Sequence, residues 1–186
     1  TIKLLAVAQA NRESGLLARV HPALIPVDVP MASVNGVLNA VEVEGDLVGP
    51  LWFQGPGAGP NPTASAVMGD IFRIASGTVN SGSSIAAPEP FKIAPMSDHT
   101  CKYYLRLTAS DRPGVLAGVA KVLGDADISI NSILQKDTDA ESVQADLVIM
   151  THPAREANMQ KAVSAINDLE TVIRLDSLLR VETYAE

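Results

Sequence analysis

The sequence predicts a mixed α/β (α+β) chain whose second half is a βαββαβ open-faced sandwich. Two observations carry that prediction. Over residues 103–181, runs of period two alternate with runs of period 3.6 in the order strand, helix, strand, strand, helix, strand. A stretch rich in Ser, Gly and Pro, residues 76–95, separates that half from an earlier one with its own strand and helix signals. The expected division is residues 1–76, a linker over 77–101, and a second domain over 102–186.

In the sandwich, Leu105, Leu107 and Ala109 share one face of the first strand, and Tyr104, Arg106 and Thr108 the other. Ser110-Asp111-Arg112-Pro113-Gly114 makes the turn, with Pro113 suited to a helix start. Val115, Leu116, Val119, Val122 and Leu123 form the first helix's apolar stripe. The second strand is expected over 128–136, with Ile128, Ile130 and Leu134 in phase and Ser129 and Asn131 opposite. A turn over 137–141 leads to a third strand, where Val143, Ala145, Leu147 and Ile149 alternate with polar residues. Met159, Val163 and Ile166 mark the buried side of the second helix, and the last strand spans about 172–181. Two helices on one face of a four-stranded antiparallel sheet follow from those periods.

In the first half, residues 2–8 (IKLLAVA) and 17–22 read as strands around a polar turn over 11–15. Pro22, Pro26 and Pro30 then forbid a long regular element, leaving room for one helical turn near 29–34. Residues 36–43 and 47–54 form a hairpin through Glu44-Gly45-Asp46, with Leu51-Trp52-Phe53 expected to be covered on both sides. A helix over 63–75 follows a Gly/Pro loop, with Ala64, Val67, Met68, Ile71 and Ile74 as its apolar stripe.

Composition narrows the function. A net charge of -7 argues against nucleic acid as the main partner. No run of apolar residues is long enough to span a membrane. Cys101 is the sole cysteine, which excludes an intrachain disulfide and fits a reducing, cytoplasmic compartment. His21, His99 and His152 lack metal-ligand spacing, so no metal site is expected, and no Ser or Cys nucleophile has a recognisable setting.

Two loops are candidate sites. Asp111, Arg112, Pro113, Gly114, Val115 and Leu116 form either a plain strand-to-helix turn or a small-molecule site. Amides at a helix start hold a carboxylate, and Gly114 lets a ligand approach the main chain. Asn131 and Ser132 are expected on the neighbouring strand, within reach of the ligand's amino group or hydroxyl. Gly57, Ala58 and Gly59 form either a turn or a loose phosphate cradle, without a full dinucleotide fingerprint.

Several stretches resemble the C-terminal part of bacterial homoserine dehydrogenase: IKLLAVA (2–8), RVHPALIP (19–26), ASVNGVLNAVEVEGDLVGPLWFQGPGAG (32–59) and PTASAVMGDI (62–71). YYLRLTASDRPGVLAGVAKVLGDADISINSILQK (103–136) looks like an ACT domain, an amino-acid-sensing βαββαβ module. The resemblance implies an NAD(P)-dependent interconversion of aspartate semialdehyde and homoserine, using NADP or NAD. It also implies that the nucleotide-binding domain, the substrate-binding carboxylates and the proton-transfer lysine precede this stretch. On that reading residues 1–186 alone are inactive and contain no catalytic residue. Gly57, Ala58 and Gly59 would lie near the cofactor; Asp111–Leu116 and Asn131 would bind an effector, commonly threonine. A homo-oligomer, dimer or tetramer, is expected. The alternative is a non-catalytic amino-acid-binding or dimerisation module.

Overall fold

The computed structural model describes residues 1–77, 90–137 and 144–183. The linker expected over 77–101 therefore falls outside the description at 78–89, as do residues 138–143, where the second turn and the start of the third strand were expected.

The described elements are β1 (Ile2–Asn11), β2 (Gly15–Leu24), β3 (Leu38–Gly45), β4 (Gly49–Pro56), α1 (Pro60–Ala75), β5 (Thr100–Ser110), α2 (Val115–Asp125), β6 (Ile130–Asp137), β7 (Gln144–Thr151), β8 (Ala154–Arg155), α3 (Glu156–Asn167) and β9 (Val172–Val181). Single 3-10 turns cover Pro30–Ser33 and Met96–Asp98. They fall into two compact units, one of residues 1–26 with 91–186 and one of residues 27–90.

In the first unit, a seven-stranded sheet runs in the order β1-β2-β9-β5-β7-β6, with β8 paired to β5. Strands β9-β5-β7-β6 are the predicted sandwich, and α2 and α3 cover one face. Tyr103, Leu105 and Leu107 of β5 and Leu147 and Ile149 of β7 form its floor. Val119 and Leu123 of α2 and Met159 and Ile166 of α3 close it from above, each fully buried. The opposite face is polar: Arg106 donates to Asp146 at 2.5 Å and Thr108 to Asp176 at 2.7 Å.

The spatial division departs from the linear one. β1 and β2 do not stand apart from the sandwich; β2 runs parallel to β9, pairing Ala23 with Arg180 and Leu24 with Val181. Strand β2 also runs through Pro22, where a break was expected. Thr1 and Ile25 exchange both backbone bonds, at 2.8 and 2.9 Å, so alternation makes Leu4–Pro22 a non-hydrogen-bonded pair. The missing N–H therefore points toward the β9 side, where pairing begins only at Ala23.

Two further expectations shift. The β6–β7 ladder moves register between Ile130 and Ser132, leaving Asn131 as an extra residue in a bulge. Phase inverts there, so Ile133 packs on the core while Leu134 is 53% exposed. Leu116, assigned to the buried stripe of α2, is also exposed, because it sits at the helix entrance beside the turn.

In the second unit, β3 and β4 pair antiparallel through Asp46-Leu47-Val48. Glycine at Gly49 takes a φ of +72° as β4 begins. The hairpin and α1 keep their predicted order, but not their burial. Val41, Phe53, Val67, Ile71 and Ile74 are each at least half exposed. The period fixes which residues share a face; it does not supply the surface that covers them.

Candidate functional site

The turn between β5 and α2 opens onto a cavity of about 370 Å³. Its inner wall is Ala109, Ala145 and Leu147, and its rim is the turn itself. Gly114 has a φ of +93°, a left-handed conformation that glycine adopts without strain. A Cβ built there would meet nothing within 4 Å, so the space beside this backbone is open.

Gly114 immediately precedes α2 and has no side chain with which to cap it. The Val115 amide reaches Arg112 O at 3.4 Å, and Gly118 N–H bonds Gly114 O at 2.9 Å. The amides of Leu116 and Ala117 meet no acceptor among the described residues. Free amides at a helix start, with the positive end of the helix dipole, suit a carboxylate. Across the rim, Gln135 Nε2 donates to Asp111 Oδ1 at 3.3 Å. The same cavity is thus lined by a carboxylate, an amide and the helix start, a set suited to the ammonium and carboxylate of an α-amino acid.

The structure thus gathers Asp111, Arg112, Pro113, Gly114, Val115 and Leu116 around one cavity. It does not bring Asn131 there. Strand β7 lies between β5 and β6, so β6 is not the neighbour of β5. Asn131 sits in the bulge near Thr151, about 13 Å along β6 from the cavity end. Gln135 takes its place as the β6 contribution. The signal was a polar residue two positions after the core-facing Ile133, legible only once the bulge is placed.

Gly57, Ala58 and Gly59 lie in the exposed loop between β4 and α1. Gly57 N–H bonds Val37 O at 3.2 Å, and a Cβ at Gly57 would fall 1.9 Å from Asn39 Nδ2. Gly59, with φ +123°, leads into a first turn that contains Pro60 and Pro62. Those prolines have no N–H, and Thr63 N–H is spent on Gly59 O at 3.2 Å. This helix start therefore offers fewer amides than that of α2.

A buried charge cluster was not legible in the sequence. Arg19 of β2 donates from Nε and Nη2 to Glu182 at 3.2 and 2.8 Å, and from Nη1 to Gln9 at 2.9 Å. Arg180 of β9 forks onto Glu156 at 2.6 and 2.8 Å, and Glu156 also accepts from Gln160 at 2.7 Å. Burial pushes the Glu156 carboxyl up, but the bonds from Arg180, Gln160 and Tyr103 outweigh it and hold it below the usual carboxylate range. Burial, aided by Arg19, holds the His99 imidazole below its ordinary value. Burial likewise pushes the Cys101 thiol up, away from reactivity. A second, more polar cavity of about 790 Å³ adjoins this cluster, with Arg19, His99, Lys102 and Glu182 among its walls. Among the described residues, no group of His, Cys, Asp or Glu is placed to hold a metal. No described helix is long and apolar enough to cross a membrane.

Comparison with known proteins matches the two halves of the chain to two families. Residues 1–72 match the homoserine dehydrogenase family model, and residues 103–171 match the ACT domain model. The homoserine dehydrogenase of Pseudomonas aeruginosa is 40% identical over 189 aligned positions, covering 97% of this chain and 43% of that protein. That of Corynebacterium glutamicum is 40% identical over 190 positions, covering 98% and 42%. The crystal structure of a homoserine dehydrogenase from Thiobacillus denitrificans superposes with a TM-score of 0.82 at 38% identity, over 97% of this chain and 42% of that one. The chain spans less than half the length of the curated relatives it matches. It corresponds to the C-terminal region of homoserine dehydrogenase, a portion of the catalytic domain followed by an ACT domain.

Proposed function

We propose that this chain is the substrate-domain and regulatory part of a cytoplasmic, homo-oligomeric, NAD(P)-dependent homoserine dehydrogenase. The parent enzyme interconverts L-aspartate 4-semialdehyde and L-homoserine, and the β5–α2 turn binds the feedback effector L-threonine. The observation that supports the effector reading is the cavity at Gly114, lined by the start of α2 and by the Asp111–Gln135 pair. An α-amino acid presents the two charges that those groups complement. The small walls Ala109 and Ala145 suit a short side chain.

Gly57, Ala58 and Gly59 are assigned to the cofactor side of the parent enzyme, on the strength of the resemblance. Residues 1–186 alone are inactive, because hydride transfer needs a positioned dinucleotide and substrate. The test is steady-state oxidation of L-homoserine by the full-length enzyme with NADP and with NAD, with and without L-threonine. The reading requires turnover that threonine inhibits, and no turnover by residues 1–186. Turnover insensitive to threonine would favour the alternative in which the ACT domain only dimerises.

A further inference from the structure

The geometry points to the β2–β9 seam, locked by Arg19 and Glu182, as the link through which the effector cavity controls the portion resembling the dehydrogenase. This rests on the effector reading above. The seam joins β2, within the residues matched to the homoserine dehydrogenase model, to β9, which directly follows those matched to the ACT model and pairs with β5 inside them.

Its backbone joint is slight. Two parallel Cα pairs and one further bond, Glu182 N–H to Leu24 O at 2.9 Å, join β2 to β9. So short a ladder fixes little by itself. The side chains supply the rest. Glu182 accepts from both sides of the Arg19 fork, and the two side chains are only 3% and 15% exposed. Two residues back along β9, on the same face, Arg180 grips Glu156 of α3, which also holds Tyr103 of β5. The backbone of His99, next to β5, accepts the Glu156 N–H at 2.8 Å. Two clusters set two residues apart at the end of β9 therefore tie it to β2 on one hand and to α3 and β5 on the other. Buried forked pairs tolerate little misplacement, so such a joint is either seated or broken.

The same two strands reach the cavity. At one end of the β5–β9 ladder Lys102 pairs with Val181, at the seam; at the other Ala109, a cavity wall, pairs with Val172. Between them the register is interrupted twice, at Arg106/Leu107 and at Thr108/Ala109. We place a shift of β9 against β5 at these two irregular rungs. Such a shift moves Glu182 relative to Arg19, and by linkage the seam biases the cavity in return.

The test uses the full-length enzyme carrying Glu182→Gln, and separately Arg19→Lys, which keeps the charge but not the fork. Threonine binding is read by calorimetry, inhibition by steady-state rates, and seating of β2 by hydrogen exchange over residues 15–24. The expected result is retained turnover and threonine binding, with the inhibition midpoint raised at least about tenfold. Threonine should slow exchange of β2 in the wild type and not in the variants, and the swap R19E/E182R should restore part of the response. Variants inhibited at the wild-type concentration, with threonine still protecting β2, overturn the link even if they are less stable. Wild-type enzyme that binds no threonine overturns the effector reading and this link together; binding with intact inhibition in the variants overturns the link alone.

Discussion

The hydroxyl of Tyr103 donates to Glu156 Oε2 at 2.8 Å, joining positions 53 apart in sequence at the fully buried heart of the sandwich. Glu156 opens α3 and simultaneously receives the Arg180 fork from β9. One carboxylate therefore fixes two strands and a helix. Removing it strands a partly buried guanidinium and a buried phenol. Glu156→Ala should cost about 3–5 kcal/mol, and urea denaturation should show the loss as a lower midpoint.

The same groups set the response to acid. Glu156 has a folded pKa below its unfolded one, so its contribution is present above about pH 4.5 and drains away as pH falls through the lower folded value. His99 is held neutral, chiefly by burial, so the unfolded state takes up a proton first. Its contribution is complete above about pH 6.5 and declines as pH falls toward the folded pKa. Stability should thus start to fall near pH 6.5 and fall again below 4.5. His99→Gln should flatten the first step and leave the second, as followed by thermal unfolding across that range.

The bulge at Asn131 makes a paired prediction. Ile133→Ala should cost about 2–4 kcal/mol, while Leu134→Ala should stay within about 0.5 kcal/mol. Chemical denaturation of both variants checks it. The reverse order would place the strand in uninterrupted phase.

Among the described glycines, Gly15 is the one where a side chain would run into backbone at closest range. Its φ is +96°, and a Cβ would lie 2.1 Å from the backbone oxygen of Lys92, which also accepts the Leu16 amide at 2.8 Å. Because the obstacle is backbone, it cannot swing aside. Gly15→Ala should lose at least about 2 kcal/mol, measured by urea unfolding. Gly114→Ala, with open space at the same kind of φ, should lose only about 1–2 kcal/mol.

What the sequence showed, and what it hid, follows from the range of each signal. Period two and period 3.6 are local, so β5, α2, β7, α3 and β9 were legible to within a few residues. The bulge was hidden because one inserted residue leaves each side of a strand looking regular, and it concealed Gln135; Asn131 was misplaced because the strand order, with β7 between β5 and β6, is not written in any local period. Pro22 misled because a proline marks a break only where its missing N–H would have been needed. The Arg19–Glu182 pair spans 163 positions, and no periodicity links residues that far apart. The period of α1 was legible, but Leu51 and Phe53, expected to be covered on both sides, are exposed, as are Val67, Met68, Ile71 and Ile74 of the α1 stripe.

The most direct test of the central claim is calorimetric titration of the full-length enzyme with L-threonine, alongside Gly114→Val. Saturable binding to the wild type and its loss in the variant are expected; the variant's Cβ meets no neighbour within 4 Å, and because valine is strained at a φ of +93° its fold is verified by circular dichroism. Equal binding by a folded Gly114→Val protein, or no binding by a folded wild type, would contradict it.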